Sequence, residues 1–278
     1  MPSRKRNKLK TFLILVVVGA LLLSVPLGIA DSKRLETESI TVDAGDSATT
    51  IKVAHISDIH YPHFGISPET ILEEVKSNRT DVLFLTGDIF DESATEEDIL
   101  DFATFLSEIG KLGQAYAVTG NHEVAFRHMK LYKTTLQESG IVLLENACIQ
   151  TEINGKTMVI AGVNDNNAYE LLQTGLATFD EELPILLLAH RPEKWEDYLH
   201  ANGNQRPLVT FAGHAHGGQI RLFGRGMLSH GEGLFPKYTN GLYQKEKSTM
   251  IVSRGLGDSD FPLRIYNPYH LLIVTIQL

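Results

Sequence analysis

Short apolar runs that end in glycine or polar turns recur through most of the chain, and they predict the strands of a large sheet structure. Two helical patterns, at residues 68–78 and 95–109, fall between the early runs. The alternation predicts an α/β fold with helices packed outside a sheet, and the strand-rich later half predicts a second sheet against the first. The predicted strands are residues 51–57, 82–86, 115–119, 157–163, 185–189, 208–212, 250–253 and 271–276.

The first 30 residues differ from the rest of the chain. Five cations between Arg4 and Lys10 precede an uncharged run at residues 11–30, which is long enough to span a hydrocarbon core. Cations at one end only predict an orientation that places the remaining chain outside the cytoplasm. Residues 28–30 have the small-x-small form of a signal peptidase site, so residues 1–30 are interpreted either as a signal-anchor transmembrane segment or as a signal peptide removed after export.

Length, cysteine count and charge narrow the possible domain organisation, disulfide bonding and partners. We assign residues 31–50 to a tether and first strand, and residues 51–278 to one catalytic domain. The single cysteine, Cys148, excludes an intramolecular disulfide. Without the five N-terminal cations, 20 basic residues face 34 acidic ones, and this balance disfavours nucleic acid as a partner. The oligomeric state is left open.

Side chains that bind metals follow five of the predicted strands. Because carboxyl ends of neighbouring strands meet at one edge of a sheet, these side chains are expected to converge. Carboxylate and imidazole ligands suit Zn, Mn or Fe, and a bridging Asp can hold two ions about 3.5–4 Å apart for phosphoester displacement. The predicted ligands are Asp58, His60, Asp88, Asn121, His190, His214 and His216.

Spacing suggests a role for several of these residues. Asp58 and His60 are one residue apart, so on an extended segment their side chains share a face and can bind one ion. Asp88 follows an apolar strand and is the natural bridging carboxylate. His122 must point away from its neighbour Asn121 toward the substrate, where Asp91 could keep it protonated as a general acid.

Two further residues are substrate-binding candidates with open alternatives. His63 could line the substrate cleft or be a loop histidine without a role. Arg254 could meet a phosphate or form a structural salt bridge.

The order D-x-H, G-D-x-x-D, G-N-H-E, H and G-H-x-H, spread between residues 51 and 278, resembles the calcineurin-like metallophosphoesterase superfamily. The motifs A-H-R-P-E, G-H-A-H-G-G-Q, Y-T-N-G-L-Y and S-R-G-L-G resemble its membrane-associated YkuE/YaeI-type phosphodiesterase branch. One departure is N-P-Y-H at residues 267–270, which leaves the substrate in doubt.

The resemblance implies a four-layer α/β/β/α sandwich with two metal ions. It assigns Asp58, His60, Asp88 and His216 to one ion, and Asp88, Asn121, His190 and His214 to the other. It also implies attack on phosphorus by a hydroxide that bridges the ions, with assistance from His122. The implied substrate is a phosphodiester or pyrophosphate, and the membrane segment favours a lipid-linked or membrane-proximal one.

Several narrower functions stay open. Family relatives include enzymes that cleave UDP-2,3-diacylglucosamine, although the predicted outward orientation argues against that cytoplasmic substrate. A non-catalytic metal-binding scaffold, a membrane- or cell-wall-binding protein with structural metals, and a phosphomonoesterase or protein phosphatase are the alternatives.

Overall fold

The computed structural model describes residues 2–45, 49–63, 65–164, 169–203, 206–229, 232–259 and 263–278. The helices are α1 Pro2–Ser32, α2 Pro68–Asn78, α3 Glu96–Gly110, α4 Asn121–Val124, α5 Met129–Glu138, α6 Tyr169–Leu176 and α7 Trp195–Ala201. The strands are β1 Leu35–Asp43, β2 Thr50–Ile56, β3 Val82–Thr86, β4 Gln114–Val118, β5 Ile141–Leu143, β6 Ala147–Ile153, β7 Lys156–Gly162, β8 Ile185–Leu188, β9 Leu208–Ala212, β10 Arg221–Leu222, β11 Arg225–Gly226, β12 Leu228–Ser229, β13 Gly233–Leu234, β14 Gly241–Lys245, β15 Ser248–Val252 and β16 Tyr269–Gln277.

Two six-stranded mixed sheets form the body of the protein. The first has the order β1-β16-β2-β3-β4-β5, with β16 antiparallel to β2 and the other pairs parallel. The second has the order β14-β15-β9-β8-β7-β6, with antiparallel pairs at both edges. Parallel strands dominate the centre of each sheet, so their carboxyl ends supply one edge where ligands can gather.

Three hydrophobic clusters separate four layers. One cluster packs α2, α3 and α5 on the outer face of the first sheet, and another packs α6 and α7 on the second. The middle cluster lies between the sheets, where Phe84 of β3 and Phe211 of β9 meet edge to face with ring centroids 4.9 Å apart. The layers confirm the expected α/β fold with two sheets, because each sheet has two apolar faces that must both be covered.

Local sequence explains where the outer helices begin. Ser67 caps α2 by accepting a hydrogen bond from the Thr70 amide, and Pro68 occupies the first turn, where its missing N–H is not needed. Thr95 and Asp98 form a reciprocal capping box at the start of α3. The apolar positions of α3 then repeat at helical spacing and are buried on one face.

The eight predicted strands are all present within two residues of their expected ends. Sequence reasoning did not predict β5, β14 or the helices α5 and α6. The segment predicted as a tether and first strand, residues 31–50, contains β1, which pairs in parallel with β16 along its whole length. Residues 35–43 are therefore part of the first sheet.

Helix α1 precedes the sheets. Its last turn contacts the domain through Gly28, whose carbonyl accepts a hydrogen bond from the Tyr266 amide. Among the residues that the structure describes, no helix is both long and apolar enough to cross a membrane. The predicted membrane segment at residues 11–30 is therefore unsupported by the structure, and the side chains of residues 13, 17, 18 and 20–23 lie outside the described residues.

We expect the Phe211→Ala substitution to lower the free energy of unfolding by about 3–5 kcal/mol, because it opens a cavity between the two sheets. Urea denaturation followed by circular dichroism measures the change. The control Val142→Ala removes a half-exposed side chain from β5 and should change stability by less than about 0.5 kcal/mol. Equal effects would contradict the inter-sheet core.

Candidate metal centre

The carboxyl ends of both sheets deliver polar side chains to one place. Asp58 and His60 follow β2, Asp88 follows β3, and Asn121 follows β4 of the first sheet. His190 follows β8, while His214 and His216 follow β9 of the second. The six Asp and His side chains of this set are at most 4% exposed, so the seven predicted ligands meet in a buried site between the sheets.

One group of donors gathers around Asp58. The Nε2 atoms of His60 and His216 lie 3.0 Å apart, and His216 Nε2 is 3.6 Å from Asp58 Oδ1. These three residues place one donor atom each within 4.8 Å of one another. The arrangement suits a single cation bound by one carboxylate and two imidazoles.

A second group gathers around His190. Its Nε2 atom lies 3.0 Å from Asp88 Oδ2, 3.1 Å from Asn121 Oδ1 and 3.2 Å from His214 Nδ1. Asp88 also reaches toward the first group, because His60 Nε2 is 3.7 Å from the same Oδ2 atom. The Asp88 carboxylate therefore lies where a bridging ligand is needed.

The chemistry of the donor set fits two cations. Burial raises the pKa of Asp58, and it lowers the pKa of His216. Burial also opposes charge on His190, but Asp88 outweighs it and raises the pKa of His190 to about 10. Two buried carboxylates and facing imidazole nitrogens need a positive charge among them. A bound metal supplies that charge and takes up the converging lone pairs.

The backbone at the site is strained. Five of the seven predicted ligands have a left-handed backbone conformation that non-glycine residues avoid, at about 1–2 kcal/mol each. These residues are Asp58 (φ 51°), His60 (φ 53°), Asp88 (φ 50°), His214 (φ 63°) and His216 (φ 44°). The expectation that Asp58 and His60 share a face of an extended segment is wrong. Left-handed backbone at each of the two residues instead places their donor atoms in one group with His216.

Two glycines allow the loops to approach the ligands closely. A Cβ atom at Gly213 would lie 2.2 Å from Asp58 Oδ2, and one at Gly120 would lie 2.2 Å from Asp88 Oδ1. Neither distance leaves room for a side chain. The backbone amides next to these glycines use the space, since His214 N–H donates to Asp58 and His122 N–H donates to Asp88.

Glu123 joins the loops that carry Asp88 and Asn121. Its buried carboxylate accepts hydrogen bonds from four backbone amides, at 2.7–3.1 Å, and sequence reasoning gave it no role. Burial raises its pKa, whereas the amide donors lower it. The only sequence signal was its place in G-N-H-E, where it accepts from the amide of Gly120, three residues earlier. The donors are the amides of Asp88, Ile89, Phe90 and Gly120.

A chain of buried hydrogen bonds leads from His55 to Asp58. Ser57 Oγ donates to Asp58 Oδ2 at 2.6 Å, and Thr86 Oγ1 donates to Ser57 Oγ at 2.8 Å. Thr86 Oγ1 lies 2.7 Å from His55 Nε2, and burial lowers the pKa of His55 to about 3, so the neutral ring donates to the hydroxyl. All donors point toward Asp58, which fixes the orientation of its carboxylate.

The C-terminal motifs position His216. Arg264 Nη2 lies 3.1 Å from His216 Nδ1, and Asn267 Nδ2 donates to the His216 carbonyl at 2.7 Å. Both supporting side chains are buried. The N-P-Y-H departure noted in the sequence thus begins with a residue that holds the ligand loop, and His270 at its end lies 2.9 Å from Glu38 of β1.

His122 and Asp91 lie beside the first donor group, and His60, Asp88 and His122 also place one donor atom each within 4.8 Å of one another. His122 Nδ1 lies 3.2 Å from Asp91 Oδ2, and the His122 ring stands edge to face against His60 with centroids 4.5 Å apart. The Glu92 amide donates to the same Nδ1 atom at 3.4 Å. Hydrogen bonding to His60 and Ser93 holds the pKa of Asp91 well below its usual range, so it is a carboxylate beside His122.

The two substrate-binding candidates differ in position. His63 is exposed, and its Nε2 lies 3.2 Å from Ser93 Oγ, which in turn donates to Asp91. It is therefore at the rim near His122. Arg254 is buried and forms a 3.0 Å salt bridge with Glu36, which favours the structural alternative for this residue.

The chain is similar in sequence to known proteins. Residues 51–218 match the model of the calcineurin-like phosphoesterase family. The chain is 27% identical to YkoQ, an uncharacterized metallophosphoesterase of Bacillus subtilis strain 168, over 84% of this chain and 88% of that protein. It is 25% identical to YkuE of the same organism, over 81% of this chain and 79% of that protein. The matches confirm the resemblance that the motifs indicated.

A solved structure supports the fold. The structure of a dimetal phosphatase from Danio rerio superposes with a TM-score of 0.50 at 12% identity, covering 77% of this chain and 90% of that one. At this identity the likeness shows the fold alone.

The Glu123→Gln substitution should lower the free energy of unfolding by about 3 kcal/mol, because an amide nitrogen would then face backbone donors in a buried site. Chemical denaturation of the metal-free protein measures this. The control Glu138→Gln changes an exposed carboxylate and should have little effect. An unchanged stability for Glu123→Gln would contradict the proposed link between the loops.

Metal content should depend on Asp88 more than on any ligand of one group. We expect about two ions per chain in the wild type, fewer than one in Asp88→Asn, and about one in His214→Ala. Elemental analysis after dialysis measures these values. The control Asp101→Asn, on the exposed face of α3, should keep the wild-type content. Equal metal loss in the Asp88 and His214 variants would contradict the bridging position.

Proposed function

The chain belongs to the calcineurin-like phosphoesterase family, and we propose that it hydrolyses a phosphodiester or pyrophosphate bond in a lipid-linked or membrane-proximal substrate. It is a metal-dependent phosphoester hydrolase with two divalent metal ions. The observation that carries the proposal is the position of His122. It lies beside His60 and Asp88, with which it places donor atoms within 4.8 Å of one another, and its Nδ1 atom is 3.2 Å from Asp91.

Each group of side chains has a defined task in this proposal. Asp58, His60 and His216 would hold one ion, and Asn121, His190 and His214 the other, with Asp88 between them. The ions, when bound, stabilise charge on the phosphoryl oxygens and lower the pKa of water. The buried walls exclude bulk water, and the supporting hydrogen bonds from Ser57 and Arg264 keep the ligands oriented.

His122 is the residue that would handle a proton. Its Nδ1 atom lies beside Asp91 and the Glu92 amide, so the opposite nitrogen, Nε2, is left to face the substrate. A protonated ring there can donate to the leaving oxygen or hydrogen-bond a phosphoryl oxygen. Because an alkoxide leaving group gains most from such a proton, the pair supports diester hydrolysis.

The N-terminal sequence supports the membrane part of the proposal. The cations between Arg4 and Lys10, followed by the uncharged residues 11–30, favour an anchor that holds the catalytic domain outside the cytoplasm, or an export signal that is cleaved. A substrate on the outer membrane surface is consistent with either. UDP-2,3-diacylglucosamine is a narrower candidate that the outward orientation disfavours, and release of a nucleoside monophosphate from it would test this.

Hydrolysis of bis-p-nitrophenyl phosphate and p-nitrophenyl phosphate by the metal-loaded protein tests the reaction. We expect a preference for the diester, and a loss of about 10²–10³-fold in kcat in His122→Ala, because the variant lacks a hydrogen-bond donor to the phosphoryl oxygens. The control His200→Ala changes a histidine on α7 outside the site and should retain activity. Full activity of His122→Ala, or hydrolysis of the monoester alone, would contradict the proposal.

Metal removal should separate catalysis from folding. A chelator is expected to abolish hydrolysis while the far-UV circular dichroism spectrum stays native, because three hydrophobic clusters hold the sheets without the metals. Activity should return when Mn²⁺ or Zn²⁺ is added. Unfolding on chelation would instead assign the metals a structural role.

A further inference from the structure

Exposed apolar side chains are concentrated on one part of the protein. Sixteen large apolar side chains are exposed among the described residues. Six belong to α1, and five belong to the two short hairpins formed by β10–β13. Only Leu100, Val124, Val142, Leu242 and Tyr266 lie elsewhere in the described part of the chain. Patches of this kind on a soluble domain mark an interaction surface. The five hairpin residues, called here the apolar tips, are Leu222, Phe223, Leu228, Leu234 and Phe235.

The two aromatic residues of the apolar tips are energetically unfavourable in both their exposure and their backbone conformation. Phe223 is completely exposed and Phe235 is 70% exposed, so neither ring is buried by the fold. Both also have a left-handed backbone conformation, with φ values of 50° and 58°. A bulky residue at positive φ costs about 1–2 kcal/mol, and such strain is concentrated at functional sites. Folding alone gives no reason for phenylalanine at either position.

The charge of this segment differs from that of the whole protein. The chain carries a net charge of −9, yet residues 219–243 contain Arg221, Arg225 and Lys237 against the single acid Glu232. Arg225 is exposed at the first hairpin, directly beside the apolar tips. Lys237 is exposed next to the second hairpin, lies over the Tyr238 ring and is 3.9 Å from Glu196 of α7. Cations that flank exposed aromatic and aliphatic side chains are complementary to an anionic lipid surface.

The hairpins are joined directly to the end of α1. Ile220 pairs with Ile265, and the Arg221 amide donates to the Ile265 carbonyl at 2.9 Å. The next residue, Tyr266, donates through its amide to Gly28 and through its hydroxyl to Ser24, both in α1. Residues 265 and 266 thus connect the base of the first hairpin to α1, which has exposed apolar side chains of its own.

The first of these hairpins packs against the ligand loop of the metal centre. Gly217 and Gly218 follow the predicted ligand His216, and a Cβ atom at Gly226 of β11 would lie 2.6 Å from the Gly217 carbonyl. The backbone of β11 thus packs against the ligand loop. Anything that contacts the apolar tips is held close to the site of phosphoester hydrolysis.

We propose that the apolar tips insert into the interfacial layer of an anionic lipid bilayer, and that this contact is separate from α1. Phe223, Phe235 and their aliphatic neighbours enter the boundary between headgroups and acyl chains, while Arg225 and Lys237 contact lipid phosphates. The proposal deepens the proposed function and rests on it, because the hairpin that packs against the loop after His216 would hold the metal centre near lipid-linked phosphoesters. The lipid contact itself can be measured without turnover.

Tryptophan quenching in the full chain tests the contact. The Phe223→Trp variant is mixed with vesicles of brominated phosphatidylcholine that contain phosphatidylglycerol, and its emission is compared with that of the wild type, whose only tryptophan, Trp195, is buried. We expect a blue shift and loss of most of the added emission, with a smaller loss in vesicles without phosphatidylglycerol. The control Val142→Trp, on the edge strand β5, should keep its emission.

Two results would overturn the proposal. Emission of the Phe223→Trp variant that is quenched no more than that of the control, with the protein shown to be on the vesicles, would mean that the tips stay in water. A blue shift without lipid that grows with protein concentration would instead assign the tips to contact with a second copy of the chain.

A second variant separates this proposal from the proposed function. The double substitution Phe223→Ser with Phe235→Ser should reduce hydrolysis of a phospholipid diester in vesicles several-fold and leave that of bis-p-nitrophenyl phosphate unchanged. Equal hydrolysis of the vesicle substrate by wild type and variant would contradict a role for the tips. Failure of the wild type to hydrolyse bis-p-nitrophenyl phosphate would count against the proposed function alone, because the quenching result stands without turnover.

Discussion

The structure depends on the burial of two carboxylates, Asp58 and Asp88, among four imidazoles between two sheets. Buried charges are unfavourable unless opposite charge or hydrogen bonds surround them. In this site the amides of His122 and His214 satisfy one oxygen of each carboxylate, and the imidazole nitrogens face the remaining space. The geometry makes sense only with positive charge at the centre, and two divalent ions supply it.

The rest of the fold stabilises the ligand loops, whose backbone conformation is unfavourable by itself. Left-handed backbone at five ligands and close approach of loops at Gly120 and Gly213 are both unfavourable for an isolated loop. They persist because each loop leaves a buried strand and is fixed by side chains from elsewhere. Glu123 joins two loops of the first sheet, and Arg264 with Asn267 hold the His216 loop of the second. The contacts that maintain this strained backbone also hold the ligands in position before a metal binds.

The sequence predicted the parts of the fold that local pattern determines. Buried strands such as β3 read as apolar runs, and ligands at their carboxyl ends had to share one edge. The sequence did not predict contacts between distant segments. The parallel pairing of β1 with β16, the three-residue strand β5 and the support of His216 by Arg264 and Asn267 all depend on tertiary packing. The left-handed backbone conformation of Asp58 and His60 was not predicted either, because their one-residue spacing suggested an extended segment.

The most direct test of the central claim is anomalous X-ray diffraction from crystals of the full chain soaked with Mn²⁺ or Zn²⁺. We predict two anomalous peaks, one beside Asp58, His60 and His216 and the other beside Asn121, His190 and His214, with Asp88 contacting both. A single peak, or peaks that leave Asp88 without a metal contact, would contradict the two-metal centre on which the account depends.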